Sequence, residues 1–272
     1  MYGVFGDLHG DIDCLERFVE FVNGDKRFSY LFFTGDFFGL DFSFMPDGRR
    51  EVLAERGRQY ELIADLMNRV REGVELFVVP GNYDNELGNR FGKWDKHHKV
   101  FWVEGRKCFG HGGSHYAPTY IFVKIKNLER QVQEGDFLSQ DRAGELQRLV
   151  KESPEIILSH SPVRKYVSYF LLNNQGRLVY FGGHTHVLSC LRVKGEANGR
   201  EVQIIRPGAL GRSMSKSERA LPRGFVGIDI NNLSEVKYFA VNNGGFEERA
   251  VVPQEISLKE YIESEGKWKI ES

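Results

Sequence analysis

Five short segments of the chain set Asp, Asn or His side chains beside small residues. They are Gly6-Asp7-Leu8-His9-Gly10-Asp11, Gly35-Asp36, Gly81-Asn82-Tyr83-Asp84, Ser159-His160-Ser161-Pro162 and Gly183-His184-Thr185-His186. Singly, most of them are turn chemistry, because Gly and Asp are the default turn residues. His184-Thr185-His186 says more. In an extended segment two imidazoles at this spacing point to one side, and the glycines before them let the backbone approach closely. Four of the eight histidines fall in these segments. Asp7, His9, Asp36, Asn82, His160, His184 and His186 together are seven donors, more than one metal ion needs. Two ions sharing a bridging carboxylate match the count. Oxygen and imidazole donors without thiolate suit divalent Mn, Fe, Co, Ni or Zn.

Each segment follows an apolar run that reads as a strand: residues 2–6, 30–34, 75–79, 155–159 and 177–181. Between the first runs lie helical patterns. Ile12, Leu15, Phe18, Val19 and Val22 share one helical face, with Asp11 placed to cap it. Leu53, Leu62, Ile63, Leu66, Met67 and Val70 form a later apolar stripe. Near-continuous apolar strands alternating with helices predict a parallel sheet covered on both faces. In such a sheet ligands bind beyond the carboxyl ends of the strands, so the five segments are expected to converge at one edge. Residues 100–103 and 107–110 read as two short strands, 119–125 as another strand and 141–152 as a helix. From residue 188 onward, strands at 188–193, 201–206, 225–230 and 235–241 alternate with turns, predicting a hairpin-rich second sheet. One domain spanning 1–272 is the simplest organisation, with an insertion at about 116–139 and a charged tail, read as a surface helix, at about 254–272.

The order D-x-H, GD, GN-x-D, a single His and GHxH resembles the calcineurin-like metallophosphoesterase superfamily over roughly residues 3–240. The resemblance implies an α/β fold, a four-layer α/β/β/α sandwich of two mixed sheets flanked by helices. It implies one ion held by Asp7, His9, Asp36 and His186, and another by Asp36, Asn82, His160 and His184, with Asp36 bridging. Manganese heads the ions it implies. Phosphate esters resist an anionic nucleophile because their oxygens repel it. A pair of divalent ions activates water and offsets that charge. The sequence carries neither a G-x-S-x-G elbow nor a Walker-type loop, so it offers no serine-hydrolase or NTP-driven motor signature.

The third segment departs from the family. Much of the superfamily has His where this chain has Tyr83, ahead of Asp84, and Tyr83, Asp84 and Asp36 are the residues expected to act in catalysis. Tyr donates a hydrogen bond, but its ordinary pKa near ~10 makes it a poor proton shuttle at neutral pH. Three readings stay open: Tyr83 donates to the phosphoryl oxygen, His111 or His115 replaces the lost His, or only substrates with good leaving groups are used. The Asp-Arg-Gly that follows the GD motif in the superfamily's Ser/Thr protein phosphatases is also missing, which disfavours that activity.

The totals exclude other classes. The 272 residues carry 37 Lys and Arg against 38 Asp and Glu, a formal net charge of −1 that gives no global nucleic-acid signal. No apolar run approaches the ~20 residues of a membrane span, and no signal peptide is legible. The odd, scattered cysteines Cys14, Cys108 and Cys190 favour a reducing, cytoplasmic setting. Residues 206–224 hold Arg206, Arg212, Lys216, Arg219 and Arg223 against one acid, Glu218. Arg212 and Arg219 are the candidate grips on a second phosphate. The run 93–100 is basic, Trp94 offers a stacking face, and His97 and His98 read as surface residues. Phe37 and Phe38 read as core or pocket wall. The leading expectation is a metal-dependent phosphodiesterase or nucleotide-type hydrolase acting on a small soluble substrate. A DNA-repair-type nuclease is the enzymatic alternative, set back by the neutral charge. A non-catalytic scaffold is the alternative of another class, set back by the complete donor set.

Overall fold

The computed structural model describes residues 1–38, 49–81, 84, 92–112, 147–160, 164–173, 176–195, 200–211 and 221–267. The chain opens with β1 (Tyr2–Phe5), α1 (Ile12–Gly24), β2 (Tyr30–Phe33), α2 (Arg49–Asn68) and β3 (Glu75–Val78). It continues with β4 (Val100–Val103), β5 (Arg106–His111), β6 (Ile156–Ser159), α3 (Arg164–Asn173) and β7 (Gly176–Gly182). It closes with β8 (Leu188–Lys194), β9 (Arg200–Pro207), β10 (Gly224–Asp229), β11 (Asn232–Asn242), β12 (Gly245–Val251), β13 (Gln254–Ser257) and α4 (Leu258–Lys267).

Two mixed sheets result. One runs β12-β11-β10-β1-β2-β3 and the other β13-β8-β9-β7-β6-β5-β4. Three apolar clusters define four layers. Leu15, Phe18, Ile63 and Leu66 pack α1 and α2 onto the outer face of the first sheet through Phe5 and Phe33. Val4, Phe32, Leu158, Phe181 and Val226 fill the space between the sheets. Val167, Leu171 and Tyr261 from α3 and α4 cover Ile157, Tyr180 and Ile204 on the outer face of the second sheet. Adjacent residues such as Val4 and Phe5 therefore face different layers. This explains why these strands are apolar throughout rather than alternating. Each fully buried Phe contributes about 1.5–3 kcal/mol.

Several sequence expectations change. The five donor-bearing strands do not share one sheet: β1, β2 and β3 belong to the first, β6 and β7 to the second. The late strands form no sheet of their own. The β8–β9 hairpin joins the second sheet, while β10–β12 join the first by pairing β10 antiparallel to β1. The physical reason is that β10 is apolar on both faces, with Phe225 against the helices and Val226 between the sheets. A separate sheet would leave one of those faces wet. The expected surface helix of the tail begins as β13, paired parallel to β8, and its helix buries Leu258 and Tyr261. Leu62 lies outside the apolar stripe of α2 and is half exposed at 51%. Phe37 and Phe38 are core. The expected strand at 119–125, the insertion at 116–139 and most of the helix at 141–152 lie outside the described residues, and 147–152 is helical.

Candidate metal centre

The loops after β1, β2, β6 and β7 bring six donors together in two groups, Asp7 with His9 and His186, and Asp36 with His160 and His184. Within each group the ligand atoms lie within 4.8 Å of one another. In the first, His9 Nε2 stands 2.9 Å from His186 Nε2, and Asp7 Oδ1 is 3.3 Å from the same His186 nitrogen. In the second, His160 Nε2 is 3.4 Å from Asp36 Oδ2, and the His160 and His184 ring centroids are 5.1 Å apart. The groups are tied together, because the backbone N–H of His184 donates to both carboxylate oxygens of Asp7 at 3.2 and 3.1 Å.

The backbone of these loops is unusual. Among the described residues eight non-glycine residues have positive φ, and five of them are Asp7, His9, Asp36, His184 and His186. L-residues visit this region rarely, at a cost of roughly 1–2 kcal/mol each. Five of the six donors thus hold a conformation that local preference opposes. Such concentration of strain is a signature of a functional site. The surrounding hydrogen bonds enforce it: Asp7, Leu8, His9 and Gly10 donate their N–H groups to the carbonyls of Gly35, Asp36, Asp36 and Phe37. Gly35 itself has φ +100°, and a Cβ there would lie 2.5 Å from the Gly81 nitrogen and 2.9 Å from His160 Nδ1. Only glycine lets the β2 loop approach both neighbours.

The residues fit divalent cations. Two imidazole nitrogens and a carboxylate oxygen converge in the first group, with carboxylate and imidazole again in the second, the donor set that borderline metals prefer. His160 Nδ1 lies 2.8 Å from the carbonyl oxygen of Thr34. A carbonyl only accepts, so Nδ1 carries the proton and Nε2 presents its lone pair toward Asp36, the usual orientation of a ligating histidine. Burial, with help from neighbouring histidines, lowers His9 to about 4 and His184 to about 3, and burial lowers His160 as well. These rings are therefore neutral at pH 7, as ligation requires. Burial would raise Asp7, but His186, His160 and His9 outweigh it and hold the carboxyl at about 2.

Asp84 is fully buried and occupied by the backbone. Its carboxylate accepts the N–H groups of Asp36 at 2.8 Å, Phe37 at 3.0 Å and Gly81 at 2.7 Å. Burial and the Asp36 charge push it up to about 7, against the pull of those N–H donors. The sequence reading put Asp84 beside Tyr83 in a catalytic role. The structure shows it tying the β2 loop to the β3 loop. His111 is buried at the end of β5. Its carbonyl accepts the His160 N–H at 3.2 Å, and its ring packs near His98 and His97 at 5.2 and 6.0 Å between centroids. His97, expected at the surface, is half-buried, and its Nδ1 accepts the Gly112 N–H at 2.8 Å. His98 is exposed. Asn82, Tyr83, His115, Arg212 and Arg219 lie outside the described residues. Sequence reasoning missed Thr34 and the Asp11–Arg223 ion pair of 3.0 Å. Position 34 carries no motif, and the pair's partners are far apart in the chain.

No helix among the described residues is long and apolar enough to cross a membrane. Comparison with curated proteins finds no match. A solved structure of a conserved uncharacterized protein from Streptococcus pneumoniae TIGR4, described as a predicted phosphoesterase, is 17% identical. The match covers 92% of this chain and 97% of that one, with a TM-score of 0.35. The family model for calcineurin-like phosphoesterase matches residues 2–188, the span that runs from β1 through both donor groups. The chain belongs to the calcineurin-like phosphoesterase family and is a metal-dependent phosphoester hydrolase.

Proposed function

We propose that the protein holds two divalent ions and hydrolyses phosphodiesters or nucleotide-type phosphoesters of small soluble substrates. The observation that carries this reading is the pairing of two three-donor groups, joined through the contact of the His184 N–H with Asp7. Bound there, the ions supply Lewis acidity, activating water and offsetting the charge of the phosphoryl oxygens. Asp7, His9 and His186 hold one ion, and His160, His184 and Asn82 the other, with Asp36 shared between them. Manganese is the ion we assign first. Asp84 fixes the Asp36 backbone relative to Gly81, which ties the β2 loop that carries Asp36 to the β3 loop.

Tyr83 stands where much of the family has a histidine. It donates a hydrogen bond to a phosphoryl or leaving-group oxygen but exchanges protons poorly at neutral pH. This favours esters whose leaving group departs unaided. Arg212 and Arg219 belong to a stretch whose described flanks, Gly211 and Arg223, lie against the β1–α1 loop. That position supports a role for the two arginines in gripping a second phosphate.

The test couples metal analysis to turnover. Purified protein supplemented with Mn²⁺ is assayed on bis-p-nitrophenyl phosphate, p-nitrophenyl phosphate and a nucleotide panel, alongside Asp36→Asn. The variant is expected to lose more activity than any single histidine change, because it touches both ions. Full turnover with two ions retained in Asp36→Asn would rule out the shared ligand. Preference for the monoester would rule out the diesterase reading.

A further inference from the structure

The β1–α1 loop carries Asp7 and His9, and the β2 loop supports it from one side. On its other side lies the segment 208–211. Leu210 N–H donates to the Gly6 carbonyl at 2.9 Å, and Gly211 N–H donates to the carbonyl of Asp7 itself at 3.2 Å. Gly211 packs so tightly that a Cβ there would run into the Leu8 carbonyl. A Cβ on Gly208 would meet the His186 carbonyl at 3.4 Å. The segment thus touches the backbone of Asp7, Leu8 and His186, which belong to or adjoin the first donor group.

One guanidinium holds this segment in place. Arg223, just ahead of β10, donates from Nε to the Gly211 carbonyl at 3.1 Å and from Nη2 to the Leu210 carbonyl at 3.4 Å. The same Nη2 pairs with Asp11 Oδ2 at 3.0 Å. Asp11 is two residues beyond His9, and its Oδ1 caps α1 by accepting the Cys14 N–H at 3.2 Å. The pair is largely shielded, with side-chain exposures of 25% for Arg223 and 12% for Asp11. A planar guanidinium with several fixed donors can serve two carbonyls and a carboxylate together. Asp7 and His9 both hold positive φ, at 51° each, so the loop relaxes away from its ligating shape unless it is held.

We infer that Arg223 and Asp11 are positioning residues for the Asp7, His9 and His186 half of the metal centre. They clamp 208–211 against the ligand loop from the side opposite β2. The inference rests on the proposed pair of ions. It predicts an asymmetry, because the clamp bears on the first donor group and should tune the affinity of one ion.

The experiment strips the full-length protein with chelator and titrates it with Mn²⁺ alone, following bound ion by calorimetry and free ion by electron paramagnetic resonance. Wild-type protein should show two binding events. Arg223→Met should weaken one by about tenfold or more, the usual effect of removing a group that orients ligands, and leave the other unchanged. Arg223→Lys should restore only part of the loss, because an ammonium lacks the fork. Asp11→Asn keeps the helix cap, since Asn caps as well as Asp, and should weaken the same event with helix content intact. In a His184→Ala background Arg223→Met should still weaken the remaining event. In a His186→Ala background it should not. Should Arg223→Met fail to fold, Asp11→Asn decides. A single event in wild-type protein would overturn the two-ion reading and this inference with it. Two wild-type events that these variants leave unchanged, or weaken alike, would overturn the positioning role alone.

Discussion

Among single residues, Asp84 shows how little a motif says about what a buried carboxylate contacts. Its spacing beside Asn82 suggests chemistry on substrate, yet its carboxylate is filled by three backbone N–H groups. Sequence carries no sign of which partner a buried carboxylate takes. Asp84→Ala would leave those donors buried without an acceptor, at about 1–3 kcal/mol each. Urea denaturation should therefore show a loss of at least about 3 kcal/mol, together with loss of turnover. A stability change near zero would mean that the loops are held by other contacts. Tyr83 gives a second test at this level. Without a strong general acid, turnover should fall steeply as the leaving-group pKa rises across a series of aryl phosphodiesters. A flat series would reveal an efficient proton donor. Tyr83→His should then flatten the dependence in the variant.

Among elements, the strands that end in donors were legible, because their apolar runs and the loops after them repeat one pattern. The donor types in His184-Thr185-His186 and Asp7-Leu8-His9 were legible too, but 184–186 is not the extended segment expected: His184 and His186 both hold positive φ, and their imidazoles go to different donor groups. The assignment of strands to sheets was not. A hairpin such as β8–β9 has the same turn and strand signals whichever sheet it joins, and only β10's double apolar face tells that it must be sandwiched. The left-handed conformations of Asp7, His9, Asp36, His184 and His186 were likewise invisible, because sequence usually signals that region with glycine or Asn. Where glycine does mark it, the requirement is sharp. Gly35→Ala places a methyl group against Gly81 and His160 at φ +100°. It should abolish metal binding while retaining the helix content of α1 and α2. Wild-type metal content in that variant would show that the β2 loop has room to shift.

For the whole molecule, the buried titratable groups set a pH dependence. His9, His160 and His184 have lowered pKa values in the folded protein, with His9 at about 4 and His184 at about 3. As pH falls below the ordinary histidine value of about 6.5, the unfolded chain takes up protons that the folded chain refuses, so stability falls. Asp84, raised to about 7, acts oppositely: in the window down to the ordinary Asp value of 3.8 the folded chain holds the extra proton. Three groups oppose one. Chelator-treated protein should lose stability between pH 6.5 and 4, at about 1.4 kcal/mol per pH unit for each net proton. Urea midpoints at pH 7.5 and 5.0 check this, and an equal or higher midpoint at pH 5.0 would contradict it. Bound metal should deepen the acid loss, because ions and protons compete for the same nitrogens.

The position of β1 between β2 and β10 bears on the order in which the protein is built. β1 is synthesised long before one of its two neighbours, because β10 is encoded by residues 224–229. Until that strand arrives, β1 presents an open, wholly apolar edge, the kind of surface that recruits strands from other chains. A fragment ending near residue 188 would contain both donor groups and still expose that edge. The part of the chain that carries the metal donors thus has its β1 edge covered by a strand that arrives later, so β10 shields the metal loops from the strands of other chains while the protein folds.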